Sequence, residues 1–178
     1  MNNKSPKIIR GGARIIYYLV ARWLPKYPMP GYRLAYKIRY EVCKHIFEEI
    51  GKDVLIKRNA YFGNGAHIKI GDRSQIGINS IMDNDVIIGN DVTMGPDVII
   101  YTSSHEYKDL AIPINQQGEK PHRPVVIGNN VWIGARCIIL PGVTIGNNSI
   151  IGANTVVTKN VPDNCVFCGA EGRVVKFR

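Results

Sequence analysis

Apolar residues recur at every sixth position along two stretches of this chain. One series runs Ile70, Ile76, Met82, Ile88, Met94, Ile100, and the other runs Ile127, Ile133, Ile139, Ile145, Ile151, Val157. Glycine follows directly at 71, 77, 89, 95, 128, 134, 146 and 152. Four places after each leader stands a small or β-branched residue: Ser74, Ser80, Val86, Val92, Val98 and Ser104, then Val131, Cys137, Val143, Ser149, Thr155 and Val161. A period of six matches neither a 3.6-residue helix nor a hairpin-paired sheet. It matches short strands joined by tight turns, and the Gly-Asn and Gly-Asp pairs supply residues that tolerate turn geometry. Three such strands make a triangular coil of 18 residues, and coils stacked in parallel about 4.8 Å apart bury the hexad leaders between them. The pattern predicts a parallel β-solenoid whose coils cannot bury a core singly.

A shifted series at Ile50, Ile56, Phe62 and Ile68 starts the solenoid near residue 50, with a two-residue slip at a corner before Ile70. The second break is larger. Ile100 and Ile127 are 27 residues apart, which is not a multiple of six, so the solenoid expels a loop over roughly 104–124. Three prolines, a glycine and paired glutamines in that stretch fit a surface excursion. Residues 1–49 lack hexads. Their apolar residues fall at helical spacing on either side of "PKYPMPG", which predicts two helices, the second running through "YRLAYKIRYEVCKHIFEEI". The organisation read from the chain is a helical segment 1–49, a solenoid 50–165 and a C-terminal tail 166–178.

Composition changes this picture little, but charge changes it more. Apolar residues make up 45% of the 178 and charged residues 21%, as in ordinary globular proteins. The net charge is +9, with much of the excess ahead of residue 60. No nucleic-acid module accompanies it, so nucleic acid is not an expected partner. The N-terminal helices either cap the open end of the solenoid or rest Arg10, Arg14, Arg22 and Lys26 on an anionic membrane face. No run of 18 apolar residues is present, and "IIYYLVA" lacks a signal-peptidase site after it. With four cysteines and no export signal, a reduced cytoplasmic chain is expected. "CVFC" at 165–168 has no second ligand pair for zinc and no βαβ context for redox work, so it reads as strand.

The hexads fit the pattern [LIV]-[GAED]-x-x-[STAV]-x, and the chain resembles the hexapeptide-repeat acyltransferases. Within them it is closest to the maltose, galactoside and exopolysaccharide O-acetyltransferases. The stretches that carry the resemblance are "IGDRSQIG", "GPDVIIYTSSHE", "IGNNVWIGARCIILPGVTIGNNSIIGANTVVTKNVP" and "GRVVKF". It implies a left-handed β-helix, acetyl-CoA as co-substrate with no metal, a saccharide acceptor, and a homotrimer with sites between chains. It makes His105, at the end of the coil before the loop, the catalytic base. A neutral imidazole there takes the proton of an alcohol that is a poor nucleophile by itself. Ala135, after "WIG", offers a backbone N–H to the thioester oxyanion, and Trp132 sits beside the acetyl end. Ala153 follows the pantetheine arm, while Thr158, Lys159, Arg173 and Lys176 meet the adenosine phosphate end. Asn79, Asp83 and Glu106 are candidates for acceptor binding, with Glu106 also a candidate to orient His105. N-acetylation of an amino sugar or a chloramphenicol-type antibiotic is the alternative enzyme reading, and a non-catalytic solenoid is the alternative outside enzymes. A carbonic-anhydrase-type solenoid needs three histidines with two closely spaced. After His105 the next is His122.

Overall fold

A computed structural model describes residues 6–170 and 172–177. The chain winds as a stack of short-stranded coils. The first coil contains β1 (Glu49–Ile50) and β2 (Leu55–Ile56), with Tyr61 bridging on the third side; the second contains β3 (Lys69–Ile70), β4 (Gln75–Ile76) and β5 (Ile81–Met82). The third holds β6 (Val86–Ile88), β7 (Thr93–Met94) and β8 (Ile99–Ile100). The fourth holds β9 (Val125–Ile127), β10 (Trp132–Ile133) and β11 (Ile138–Ile139). The fifth holds β12 (Thr144–Ile145), β13 (Ile150–Ile151) and β14 (Val156–Val157). Beyond it lie β15 (Cys165–Cys168) and β16 (Arg173–Phe177), which folds back antiparallel on β15.

Three parallel faces result. The first is β1-β3-β6-β9-β12 and the third is β5-β8-β11-β14. The second combines β2-β4 with β7-β10-β13-β15, joined where Gln75 N–H donates to Val92 O at 2.9 Å. Partners in neighbouring coils are 18 residues apart, as in Ile70↔Ile88, Met82↔Ile100 and Ile133↔Ile151. Between the first two coils the spacing is 20, as in Ile50↔Ile70, so the slip is absorbed at the third corner. Across the excursion Ile88 pairs with Ile127 and Ile100 with Ile139, which extrudes 21 residues from one coil.

All twelve leaders are at most 3% exposed. The residues four places on are buried too, except Ser104, which is exposed because the chain has already left the prism there. At the edge between the first and second faces, αL residues such as Asp91 and Asn130 make the turn. Beside them the side-chain oxygens of Asp72, Asn90, Asn129, Asn147 and Asp163 each accept a backbone N–H from the coil below at 2.6–2.8 Å. That ladder satisfies N–H groups that a tight turn would otherwise leave unpaired.

At the N-terminus α1 (Lys7–Leu19), a 3-10 turn at Ala21–Trp23 and α2 (Tyr32–Cys43) cover the first coil. Ala13, Tyr17 and Ala21 are buried there, and the Tyr17 ring lies 4.5 Å from that of Phe62. The Tyr17 hydroxyl donates to Ala60 O at 3.0 Å and the Tyr18 hydroxyl to Gly63 O at 2.7 Å. Arg39 on α2 is fully buried and donates to the carbonyls of Ala21, Leu24, Pro25 and Ile56, at 2.7–3.2 Å. The second helix is shorter than its pattern predicts. It ends at Cys43 because Ile46 and Phe47 turn into the core, and Glu48 N–H already pairs with Ile68 O.

Candidate active site

β8 ends at Ile100, and from there the chain turns outward instead of entering the fourth coil. The two limbs of the excursion pair with each other at its root. Arg123 N–H donates to Thr102 O at 2.7 Å, Lys120 N–H to Ser104 O at 2.8 Å and Glu106 N–H to Gly118 O at 3.0 Å. His105 faces Glu119 across this antiparallel stem. Two carboxylates from the corner below anchor the limbs: Asp83 Oδ2 accepts Thr102 N–H at 2.6 Å, and Asp85 Oδ2 pairs with His122 Nδ1 at 2.6 Å. The histidine therefore stands on a rooted stem, which is what a residue with a fixed proton-transfer geometry requires.

His105 opens onto a cavity of about 400 Å3 shared with Asp83, Tyr101, Ser103, Ser104 and Glu119. His105 and Asp83 are thereby brought together. Glu106 is not among the lining residues. Its carboxylate accepts Tyr107 N–H at 3.0 Å, and that bond, with Lys120 nearby, holds its pKa below the usual carboxylate range. Asn79 is elsewhere, an αL corner residue between the second and third faces. Its amide donates to Asp97 at 3.0 Å and accepts from Asn59 at 3.1 Å. Tyr101 and Glu119 carry no mark in the sequence pattern. Glu119 reaches the cavity through the stem register, which no spacing rule shows.

The residues assigned to the cofactor divide between two edges. Ala135 and Ala153 stack at the edge between the second and third faces, with Asn154 N–H bonded to Ala135 O at 2.9 Å. Trp132 points outward from β10 on the adjoining face and is 55% exposed. Arg173 opens β16 opposite Cys168, with Lys176 opposite Val166, and both are exposed. Thr158 and Lys159 follow β14, on the same edge as His105 but two coils further along. The third face thus lies between the His105 edge and the Ala135–Ala153 edge of one chain.

The Ala135 edge also differs chemically from the Asx-laddered one. The corresponding residues on this edge are Arg58, Ile78, Pro96, Ala135, Ala153 and Gly169, none with a side chain able to accept a neighbouring N–H. Among the described residues, the backbone N–H groups of Ala135 and Ala153 carry no hydrogen bond. Two stacked, unpaired donors on an exposed edge can hold a carbonyl oxygen or an oxyanion. Among the described residues no group of three or more His, Cys, Asp or Glu side chains is arranged to hold a metal ion.

Comparison with known proteins fits this geometry. The family model described as bacterial transferase hexapeptide (six repeats) matches residues 124–159, and that of the hexapeptide repeat of succinyl-transferase matches 67–101, one on each side of the excursion. The galactoside O-acetyltransferase of Escherichia coli K12 is 32% identical over 99% of this chain and 90% of its own length. The chain belongs to the hexapeptide-repeat acetyltransferases. A solved member of this acyltransferase family, from Vibrio cholerae and complexed with acetyl coenzyme A, superposes with a TM-score of 0.79 at 28% identity, covering 98% of this chain and 90% of that one. A galactoside acetyltransferase in complex with coenzyme A gives 0.78 at 31% identity, covering 96% and 80%. The left-handed β-helix expected from the resemblance is the fold this membership implies.

Proposed function

We propose that the chain is an acetyl-CoA-dependent O-acetyltransferase acting on a saccharide hydroxyl in polysaccharide biosynthesis, as a homotrimer. The observation that carries the reading is the placement of His105 on a rooted stem beside Asp83, with unpaired N–H donors on the opposite edge of the same face. His105, as the neutral imidazole, accepts the proton of the sugar hydroxyl while its oxygen attacks the thioester carbonyl. The Ala135 N–H stabilises the negative charge that develops on the carbonyl oxygen. Collapse breaks the carbon–sulfur bond, and the imidazolium of His105 returns its proton to the departing thiolate. The products are the acetyl ester and free coenzyme A. Arg173, Lys159 and Lys176 supply the positive charge that the cofactor's phosphates call for, and Asp83 accepts hydrogen bonds from the acceptor's hydroxyls.

The division of the site supports a trimer. A neighbouring chain can place its Ala135 edge against the His105 edge, which a single chain keeps a face apart. The third face is suited to that contact. Its outward residues Tyr61, Ile81, Ile99, Ile138 and Val156 pair coil by coil into one apolar row.

The test is acetyl-CoA consumption against a panel of sugars, amino sugars and chloramphenicol. Turnover on neutral saccharides is expected, and His105→Ala should lower it about 10²–10⁴-fold with little change in acetyl-CoA affinity. Arg173→Ala should instead raise the KM for acetyl-CoA with a smaller effect on the chemical step. A His105→Ala enzyme that keeps more than about a tenth of wild-type turnover, chemistry being rate-limiting, removes His105 from this role.

A further inference from the structure

The N-terminal segment covers the solenoid with one face only. Ala13, Tyr17 and Ala21 are buried, while Ile8, Ile9, Ile15, Ile16, Leu19 and Trp23 stand outward, Ile8 at 88% exposure and Leu19 at 72%. On a 3.6-residue helix, positions 8, 12, 15, 16 and 19 share one side. Gly12, the small residue in that row, has nothing within 4 Å of where a Cβ would stand, so no packing inside the fold demands it. Single exposed hydrophobic residues are ordinary, but a contiguous row of this size marks a contact surface.

Charge identifies what the surface meets. Nine Lys and Arg precede Glu41 with no acid among them, so the entire excess of +9 lies in the first 40 residues. The rest of the chain carries fourteen charges of each sign. Among the described residues none of these early cations forms an ion pair. Lys7, Arg10 and Arg14 lie on α1 itself, and Trp23 ends the segment with its Nε1–H on Tyr18 O at 3.1 Å. An apolar row on a cationic helix, with an indole at its end, suits the headgroup region of an anionic bilayer.

We propose that α1 and the turn after it dock the enzyme on an anionic phospholipid surface, with Ile8, Ile15, Ile16 and Leu19 entering the acyl boundary and Lys7 and Arg14, on the flank of that row, against the phosphates. A second copy of the chain is a poorer occupant, because it would present the same uncompensated cations and be repelled. The uncharged row on the third face offers copies a better meeting place.

Sedimentation of the full chain with vesicles of phosphatidylcholine alone, and of phosphatidylcholine with an equal part of phosphatidylglycerol, tests this. Partition onto the mixed vesicles should be at least about tenfold stronger and weaken with salt. In a Trp132→Phe background, Trp23 emission should shift to the blue on the same vesicles. Ile15→Asp with Leu19→Asp should abolish most of the partition. Ile8→Asp, at a position too exposed to disturb the cap, should weaken it several-fold. Wild-type protein left in the supernatant, or binding equal on both vesicle types, overturns the proposal. So does unchanged partition of the aspartate variants. Variants that lose their oligomeric state while still binding vesicles assign the row to a second copy of the chain.

Discussion

Glycine after a leader is a packing requirement, whereas glycine in α1 is an opportunity. A Cβ on Gly77 would stand 1.8 Å from the carbonyl oxygen of Gly95 in the next coil, and backbone there cannot step aside without opening the stack. Gly77→Ala is therefore expected to destabilise by about 3 kcal/mol, the upper range for overpacking a close-packed site. Gly11 has nothing within 4 Å and lies in the interior of α1. Gly11→Ala should stabilise, by up to about 1 kcal/mol of helix propensity. Urea midpoints of the two variants should move in opposite directions, and a loss of stability in both would mean that a side chain at position 11 meets a neighbour. The single-residue chemistry was unevenly legible in the sequence. His105 is marked in the sequence by the family resemblance and by the six-residue rhythm that stops beside it, and Asp83 by the same resemblance and by standing where the hexads have glycine. Glu119 and Tyr101 carry no such mark. Glu119 enters the cavity only through hydrogen bonds between the limbs of an irregular stem.

Among elements, the periodic ones were readable because each coil repeats one burial rule. Every leader is buried and every strand pairs with the one a coil away, so the register follows from counting. The helical cap obeys no such rule. Its second helix stops at Cys43 although the apolar pattern continues, because Ile46 and Phe47 are needed by the core and Glu48 by the first strand pairing. Arg39 could not be foreseen as a core residue either. It is buried by carbonyls that the turn after α1 happens to aim inward. The cap also has a pH signature. Burial pushes the Tyr18 phenol up to about 12, against the lowering effect of the Phe62 N–H that it accepts, and burial moves Tyr17 the same way. A folded-state pKa above the unfolded value of about 10 means that the native state holds the proton more tightly. The resulting stability is complete below pH 10 and is lost as the pH rises toward 12. Urea unfolding should therefore become easier over that window, and Tyr18→Phe should shrink the alkaline loss. A Tyr18→Phe curve parallel to wild type throughout would remove Tyr18 as a source of it.

For the whole molecule the proposed site raises the question of assembly, because its residues lie on two edges of one prism. The third face carries Ile81, Ile99, Ile138 and Val156 in unbroken register, outward-facing and without a charge between them. A flat apolar sheet face of this length is costly in water and prone to association. A closed ring is the symmetric arrangement that covers the same patch on every copy, and a triangular prism with its site on two edges fits three copies. Ile138 lies mid-row and is half-buried within its own chain, so its outward side can be changed without opening the core. Ile138→Asp sets one carboxylate in each contact, unpaired and shielded from water, where burial of a charge is strongly unfavourable. Sedimentation equilibrium should find the wild type at three times the chain mass of 19.9 kDa and the variant at or near that mass. Acetyl transfer should fall with assembly, because a lone chain keeps His105 and the Ala135 donor on opposite edges of the face. Adding wild-type chains in excess should restore part of the activity through mixed trimers. If the variant sediments as a single chain and still turns over at the wild-type rate, the site is complete within one chain and the trimer has no part in catalysis.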